Sequence, residues 1–158
     1  MNKTPTVSII IPTLNSARTL KDCLYSITIQ DYPKDKIEII IADGGSTDDT
    51  MAIINSFNPT NILVVPNPLK TGEAGKAAAL KRANNQILAF IDSDNILQDE
   101  DWLKRMIEPF KDPEIIASEP IEYTYRASDS YITRYCALLG MNDPLCLFLG
   151  NYDRYCTL

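Results

Sequence analysis

The sequence predicts an α/β fold built on an open, mostly parallel sheet with helices on both faces. Short, continuous apolar runs rich in β-branched residues recur along the chain, and each is followed by a stretch with helical periodicity. The length agrees: 158 residues with 45% apolar content suit one domain on a scale of roughly 100–200 residues, with material for a sizeable core.

Val7-Ser8-Ile9-Ile10-Ile11 is the first such run and stops at Pro12. Residues 37–42, 62–65 and 87–91 repeat its character. Runs that are apolar nearly throughout suit strands covered on both faces. Between them, Leu20, Cys23, Leu24 and Ile27 fall at i, i+3, i+4 and i+7, with Asn15 or Ser16 as the expected N-cap. Ser46-x-x-Asp49 reads as a variant capping box, opening a helix that buries Ile53, Ile54 and Phe57. Residues 74–84 are rich in the strong helix formers Ala, Lys and Leu. Leu103, Met106, Ile107 and Phe110 form a further apolar stripe.

Beyond residue 112 the pattern weakens. Residues 115–118 and 121–125 read as short strands around Pro120, and 129–140 as a helix, while the last 18 residues fit neither pattern. No linker marks a second domain. The alternation of strand and helix, with right-handed crossovers, brings every strand's C-terminal turn to one edge, where such sheets bind ligands.

The charge narrows the chemistry. With 15 Lys+Arg against 21 Asp+Glu the net charge is −6, which counts against nucleic acid as a partner. There is no histidine, which excludes Ser-His-Asp and Cys-His catalysis and any His-ligated zinc. Cys23, Cys136, Cys146 and Cys156 form no C-x-x-C pair and read as reduced thiols of a cytoplasmic protein. Residues 1–5 lead straight into a strand without a signal peptide, and no apolar run approaches the roughly 18 residues of a membrane span. Carboxylates, lysines and backbone amides remain to do the work.

Asp92-Ser93-Asp94 directly follows the fourth strand run. Two carboxylates one residue apart can turn toward one hard cation such as Mg2+ or Mn2+, with phosphate and water completing the coordination. The same three residues also suit a helix cap and a solvated turn. Asp43-Gly44-Gly45-Ser46-Thr47-Asp48 follows the second strand, where adjacent glycines permit close backbone approach and Asp43 could accept hydrogen bonds from a base or ribose. A plain turn with an N-cap fits equally well. Pro12-Thr13-Leu14-Asn15 follows the first strand and lacks both G-x-G-x-x-G and the P-loop pattern. Gly75-Lys76 delivers a lysine near a helix start, as a counter-charge for a diphosphate or as a solvated surface residue.

Taken in order, Val7–Asn15, Ser26-Ile27 with Gln30-Asp31-Tyr32-Pro33, Ile37–Asp48, Gly75–Leu80 and Ala89–Asp94 resemble the family 2 glycosyltransferases, which have the GT-A (Rossmann-like) fold. By that resemblance, Pro12, Thr13 and Asn15 border a nucleotide, Asp43 bonds its base and Lys76 lies near it. Asp92 meets ribose or metal, and Asp94 ligates Mn2+ or Mg2+ on the donor diphosphate. The implied reaction moves a sugar from a UDP- or GDP-linked donor to an acceptor hydroxyl, with inversion, the metal acting as a Lewis acid. The implied acceptor is a saccharide or a lipid-linked one at the inner face of a membrane, with peripheral membrane contact.

Residues 1–158 are expected to form a single GT-A-like domain, with a donor-binding part over 5–110 and an incomplete acceptor part over 111–158. Leu14 stands where many family members have tyrosine. A downstream carboxylate serves these enzymes as general base, and none of Glu119, Glu122, Asp129, Asp143 or Asp153 sits in a recognisable motif, so no base is assigned. The chain is therefore expected to be truncated, binding donor and metal while transferring sugar slowly or not at all by itself. A non-catalytic nucleotide-sugar-binding module is the alternative. A nucleotidyltransferase is disfavoured, because residues 13–18 form no glycine- and arginine-rich loop. The six tyrosines at 123, 125, 131, 135, 152 and 155 could line an acceptor groove or a membrane surface, or be ordinary half-buried residues.

Overall fold

The computed structural model describes residues 4–57, 61–120, 125 and 127–138. The chain divides into two compact units, Met1–Arg105 and Met106–Leu158. The first contains a four-stranded sheet of order β3-β2-β1-β4. Its strands are β1 (Val7–Thr13), β2 (Ile37–Asp43), β3 (Ile62–Pro66) and β4 (Ile87–Phe90), and every pairing is parallel. Helices α1 (Leu20–Thr28), α2 (Thr50–Ser56) and α3 (Gly72–Leu80) alternate with the strands, and α4 (Trp102–Ile107) follows them. In the second unit, α5 spans Tyr131–Leu138.

Side chains on a strand alternate between faces. Ile10, Ile40, Ala42 and Val65 share one face and form a core with Ala79 of α3. Ile9, Ile11, Ile39 and Ile41 project to the other face and are equally buried, together with the α1 stripe Leu20, Cys23, Leu24 and Ile27. Burying each of these large aliphatics contributes about 1.5–3 kcal/mol, so the two central strands anchor the fold. Polar residues are buried beside them. Ser8 is wholly buried, and its hydroxyl donates to the Glu38 carboxylate and accepts from the Asn85 amide at 3.3 Å.

Several expected details differ. The outer strands are not covered on both faces: Leu63 and Val64 on β3, and Leu88 and Phe90 on β4, are exposed. They are the ends of the strand order, and an apolar run reads alike whether or not a neighbour covers it. Neither Asn15 nor Ser16 caps α1. Thr19 is the N-cap, and the Ser16 carbonyl accepts from the amides of Thr19 and Leu20. The Ser46/Asp49 box is not formed either, because the Ser46 hydroxyl is drawn to Asp43. Asp48 replaces it, accepting from the Thr50 amide at 3.0 Å and from the Thr50 hydroxyl at 2.5 Å. Of Ile53, Ile54 and Phe57 only Ile54 is fully buried.

Helix α3 begins at Gly72, capped by the Thr71 hydroxyl, and ends at Leu80 rather than 84. Asn84 and Asn85 are engaged instead by Glu38, Ser8 and Val7 at the base of the sheet. Residues 115–118 form no strand: no ladder partner is present for them among the described residues, and the Ser118 hydroxyl bonds the Met106 carbonyl. The apolar stripe from Leu103 to Phe110 is split between α4 and a 3-10 turn over Glu108–Lys111, where Pro109 supplies no amide for an α-helical bond. Residues 121–124 and 139–158 lie outside the described residues. None of the described helices is long and apolar enough to cross a membrane.

Candidate functional site

Parallel pairing in register brings the C-terminal ends of the strands together. Thr13 pairs with Asp43 across β1 and β2, and β4 lies on the other side of β1, so its successors Asp92 and Asp94 emerge at the same edge.

The first half of this edge is a hydrogen-bonded double loop. The Asp43 carboxylate accepts from the Ser46 hydroxyl at 2.6 Å and the Thr13 hydroxyl at 3.3 Å on one oxygen. Its other oxygen accepts from the amides of Gly45 and Ser46 at 2.9 and 3.0 Å. Burial pushes this carboxyl up, but those four donors outweigh it and hold Asp43 below its usual range. Gly45 has φ +84°, a left-handed conformation that glycine adopts without strain and that turns its amide back onto Asp43. Asn15, also left-handed at φ 52°, locks the β1 loop against it. Its amide donates to the Ser46 hydroxyl and its side-chain oxygen accepts from the Thr47 amide, both at 2.8 Å. Pro12 is half-buried and Leu14 is exposed.

The second half carries the cation chemistry. Asp92 and Asp94 are both exposed. The Lys76 ammonium from α3 reaches Asp92 at 3.0 Å. Helix α3 can bring it there because Gly75 packs flush on the sheet: a Cβ at that position would lie 2.9 Å from Pro12 Cβ and from the Asn67 amide nitrogen. No group of three or more acidic, Cys or His residues that could hold a metal occurs among the described residues. The pair is nonetheless a suitable partial site: its donors are hard oxygens and a cation already rests on one of them. Asp92 and Asp94 could hold a hard divalent cation through these oxygens, with other ligands completing its coordination.

The two halves are joined by hydroxyls. Ser16 and Ser93, the central residue of the Asp-Ser-Asp motif, pair at 2.9 Å. The Ser16 amide donates to the Thr50 hydroxyl at 2.8 Å, and Ala17 donates to Asp48 at 3.1 Å. Thus Thr13, Asn15, Asp43, Lys76, Asp92 and Asp94 all gather on one edge, with Pro12 next to Thr13 on β1. Ser16, Ser46, Thr47, Asp48 and Thr50 were not singled out by sequence for this network. The only signal available was their position in the loops after β1 and β2 and at the start of α2.

Of the acidic residues weighed as bases, Glu119 and Asp129 lie in the second unit, while Glu122, Asp143 and Asp153 fall outside the described residues. Tyr125, Tyr131 and Tyr135 are exposed, and the other three tyrosines considered are not among the described residues.

The open parallel sheet, whose strand ends gather carboxylates and one lysine, shares the GT-A architecture of its structural neighbours. The comparisons then give the family. Residues 8–152 match the Glycosyl transferase family 2 model, and the chain belongs to that family. It is 30% identical over 141 residues to glycosyltransferase AglE of Haloferax volcanii, covering 87% of this chain and 46% of AglE. It is 32% identical over 154 residues to the Escherichia coli UDP-Glc:alpha-D-GlcNAc-diphosphoundecaprenol beta-1,3-glucosyltransferase WfaP, covering 96% of this chain and 57% of WfaP. The chain therefore spans about half the length of these relatives. The structure of the mannosyltransferase PcManGT from Pyrobaculum calidifontis, in complex with GDP-Man and Mn2+, superimposes with a TM-score of 0.67 at 26% identity, covering 81% of this chain and 38% of that one.

Proposed function

We propose that the chain supplies the donor site of a metal-dependent, inverting glycosyltransferase, with residues 5–110 as the donor-binding part. The observation that supports it most is the placement of Asp94, and of Asp92 with Lys76 paired to it, on the edge that also holds Thr13, Asn15 and Asp43. The relatives add that WfaP uses a UDP-linked glucose and a diphosphoundecaprenol-linked acceptor, and that PcManGT binds GDP-Man with Mn2+. The donor here is accordingly a UDP- or GDP-sugar and the acceptor a saccharide or a lipid-linked saccharide, reached by peripheral contact with a membrane.

In this reading Pro12, Thr13 and Asn15 border the nucleoside. Asp43 accepts a base N–H by giving up its 3.3 Å bond from Thr13, the longest of its four. Asp92 and Asp94 hold the metal, and Lys76 turns from Asp92 to the diphosphate. A bound Mn2+ or Mg2+ supplies Lewis-acid stabilisation of the charge that develops on the departing diphosphate. No described residue is assigned as the base that deprotonates the acceptor.

Titration calorimetry with UDP and GDP, each with Mn2+ and with EDTA, tests the reading. Metal-dependent binding of one nucleotide, abolished in Asp94→Ala, is the expected result. Failure of both nucleotides to bind would overturn it. Binding of nucleotide and metal without transfer of sugar from the donor would favour the non-catalytic module instead.

A further inference from the structure

Residues 91–101, which carry Asp92 and Asp94, contain only turns and irregular backbone. A stretch of this kind has no ladder or helix of its own to hold its shape. Its start is held by the Ile91 amide on the Ile10 carbonyl, by Ser93 on Ser16 and by Lys76 on Asp92, and the rest by one face of α1 and the residues just after it.

Cys23 and Ser26 lie one turn apart on α1, and Gln30 directly follows its C-cap, Ile29. Cys23 Sγ lies 3.7 Å from the Asp92 carbonyl. The Ser26 hydroxyl accepts from the Leu97 amide at 3.1 Å and donates to the Cys23 carbonyl at 2.7 Å. Gln30 grips both sides of the next turn. Its Nε2 donates to the Asp99 carbonyl at 2.6 Å and to the Ser26 carbonyl at 3.0 Å, while its Oε1 accepts from the Leu103 amide at 2.9 Å. Ser26 is 3% exposed and Gln30 is 1% exposed. Buried polar side chains whose partners are backbone atoms of an irregular loop specify where that loop runs. Apolar replacements would fill the space but leave the Leu97 and Leu103 amides unpaired.

We propose that Ser26 and Gln30 are positioning residues for the Asp92–Asp94 pair: by clamping the backbone at 97, 99 and 103, they set the carboxylates at the sheet edge. This rests on the donor-site reading above. It assigns a role to two residues that the nucleotide and metal chemistry leave unused.

The test uses the full 158-residue chain and two variants. Ser26→Ala removes the acceptor of the Leu97 amide. Gln30→Glu keeps the acceptor of the Leu103 amide but sets an oxygen against the Asp99 carbonyl. Each is titrated with Mn2+ plus the nucleotide the unmodified chain binds, and with the corresponding nucleoside in EDTA, which draws on the Thr13, Asn15 and Asp43 side alone. Metal-dependent nucleotide affinity is expected to fall about tenfold, as for other residues that orient metal ligands, with nucleoside affinity unchanged. Hydrogen exchange at Leu97 should quicken in Ser26→Ala.

Unchanged metal-dependent binding in folded Ser26→Ala would overturn the positioning role, as would an equal loss for nucleoside and metal-bound nucleotide. If Gln30→Glu does not fold, Ser26→Ala decides alone. An unmodified chain that binds no metal–nucleotide pair overturns the donor-site reading, and the positioning role falls with it.

Discussion

Lys76 Nζ lies 3.0 Å from Asp92 Oδ1, so an ammonium rests on a carboxylate proposed to ligate a metal. The two cations compete for one oxygen, while the diphosphate attracts both. Replacing the lysine should therefore shift two affinities in opposite directions.

In Lys76→Met, Mn2+ alone should bind more tightly and the nucleotide in saturating Mn2+ more weakly. Both partners are substantially exposed, at 33% and 55%, so each change should be about two- to fivefold, the range of an exposed ion pair. Electron paramagnetic resonance of free Mn2+ measures the first and calorimetry the second. Changes of the same sign would show that Lys76 serves only one of the two partners.

Gly75 sets how closely α3 lies on the sheet. Alanine there brings a Cβ to 2.9 Å from Pro12 Cβ, and the proline ring cannot swing aside. Gly75→Ala should destabilise by about 1–3 kcal/mol, as overpacking does, and weaken nucleotide binding by moving Lys76. Gly72→Ala is the control, because nothing lies within 4 Å of its added Cβ. Urea midpoints for the two variants should differ clearly, and coincident midpoints would refute the close packing.

The central fold was legible because β1 and β2 are covered on both faces, and only a continuous apolar run can satisfy that environment. The carboxylates Asp43, Asp92 and Asp94 were legible because each follows such a run. Exposure of Phe90 was not, since strand composition does not say whether a neighbour lies alongside. Ser26 and Gln30 stood in a recognisable segment, yet their partners are backbone atoms 71 and 73 residues away. Side-chain type carries no trace of a distant amide. The helix caps failed for a related reason: Ser46, Asp48 and Asp49 are all competent caps, and the pull of Asp43 on Ser46 decided between them.

The depressed Asp43 carboxyl links the loop to pH. Its pKa is lower in the folded chain than in the unfolded one, although burial acts the other way, because the Ser46, Gly45 and Thr13 donors favour the charged form. The resulting stability is present above the ordinary aspartate pKa of about 3.9 and is lost as the pH falls through the lower folded value. Asp43→Asn should thus lower the urea midpoint at neutral pH and lessen the fall between pH 5 and pH 2, both roughly chosen to bracket that titration. An identical acid profile in both proteins would show that the four hydrogen bonds do not favour the charged form.

Cys23 makes the last test, one that needs no ligand. Its side chain, on α1, is fully buried and meets the Asp92 carbonyl. Burial, followed by the nearby charges of Asp94 and Asp92, pushes the thiol up to about 12. Only the thiolate attacks disulfide reagents, so both access and ionisation protect this sulfur. At a pH near 8, where a free cysteine of pKa about 8.5 reacts readily, Cys23 should stay unmodified in the folded chain and react at the rate of unfolding. Cys136, half-buried on α5, should react before Cys23. Peptide mapping after timed alkylation resolves each cysteine. Rapid labelling of Cys23 without denaturant would mean that the α1 face opens from the Asp92 backbone on the timescale of the reagent, contrary to a fixed seat for the carboxylate pair.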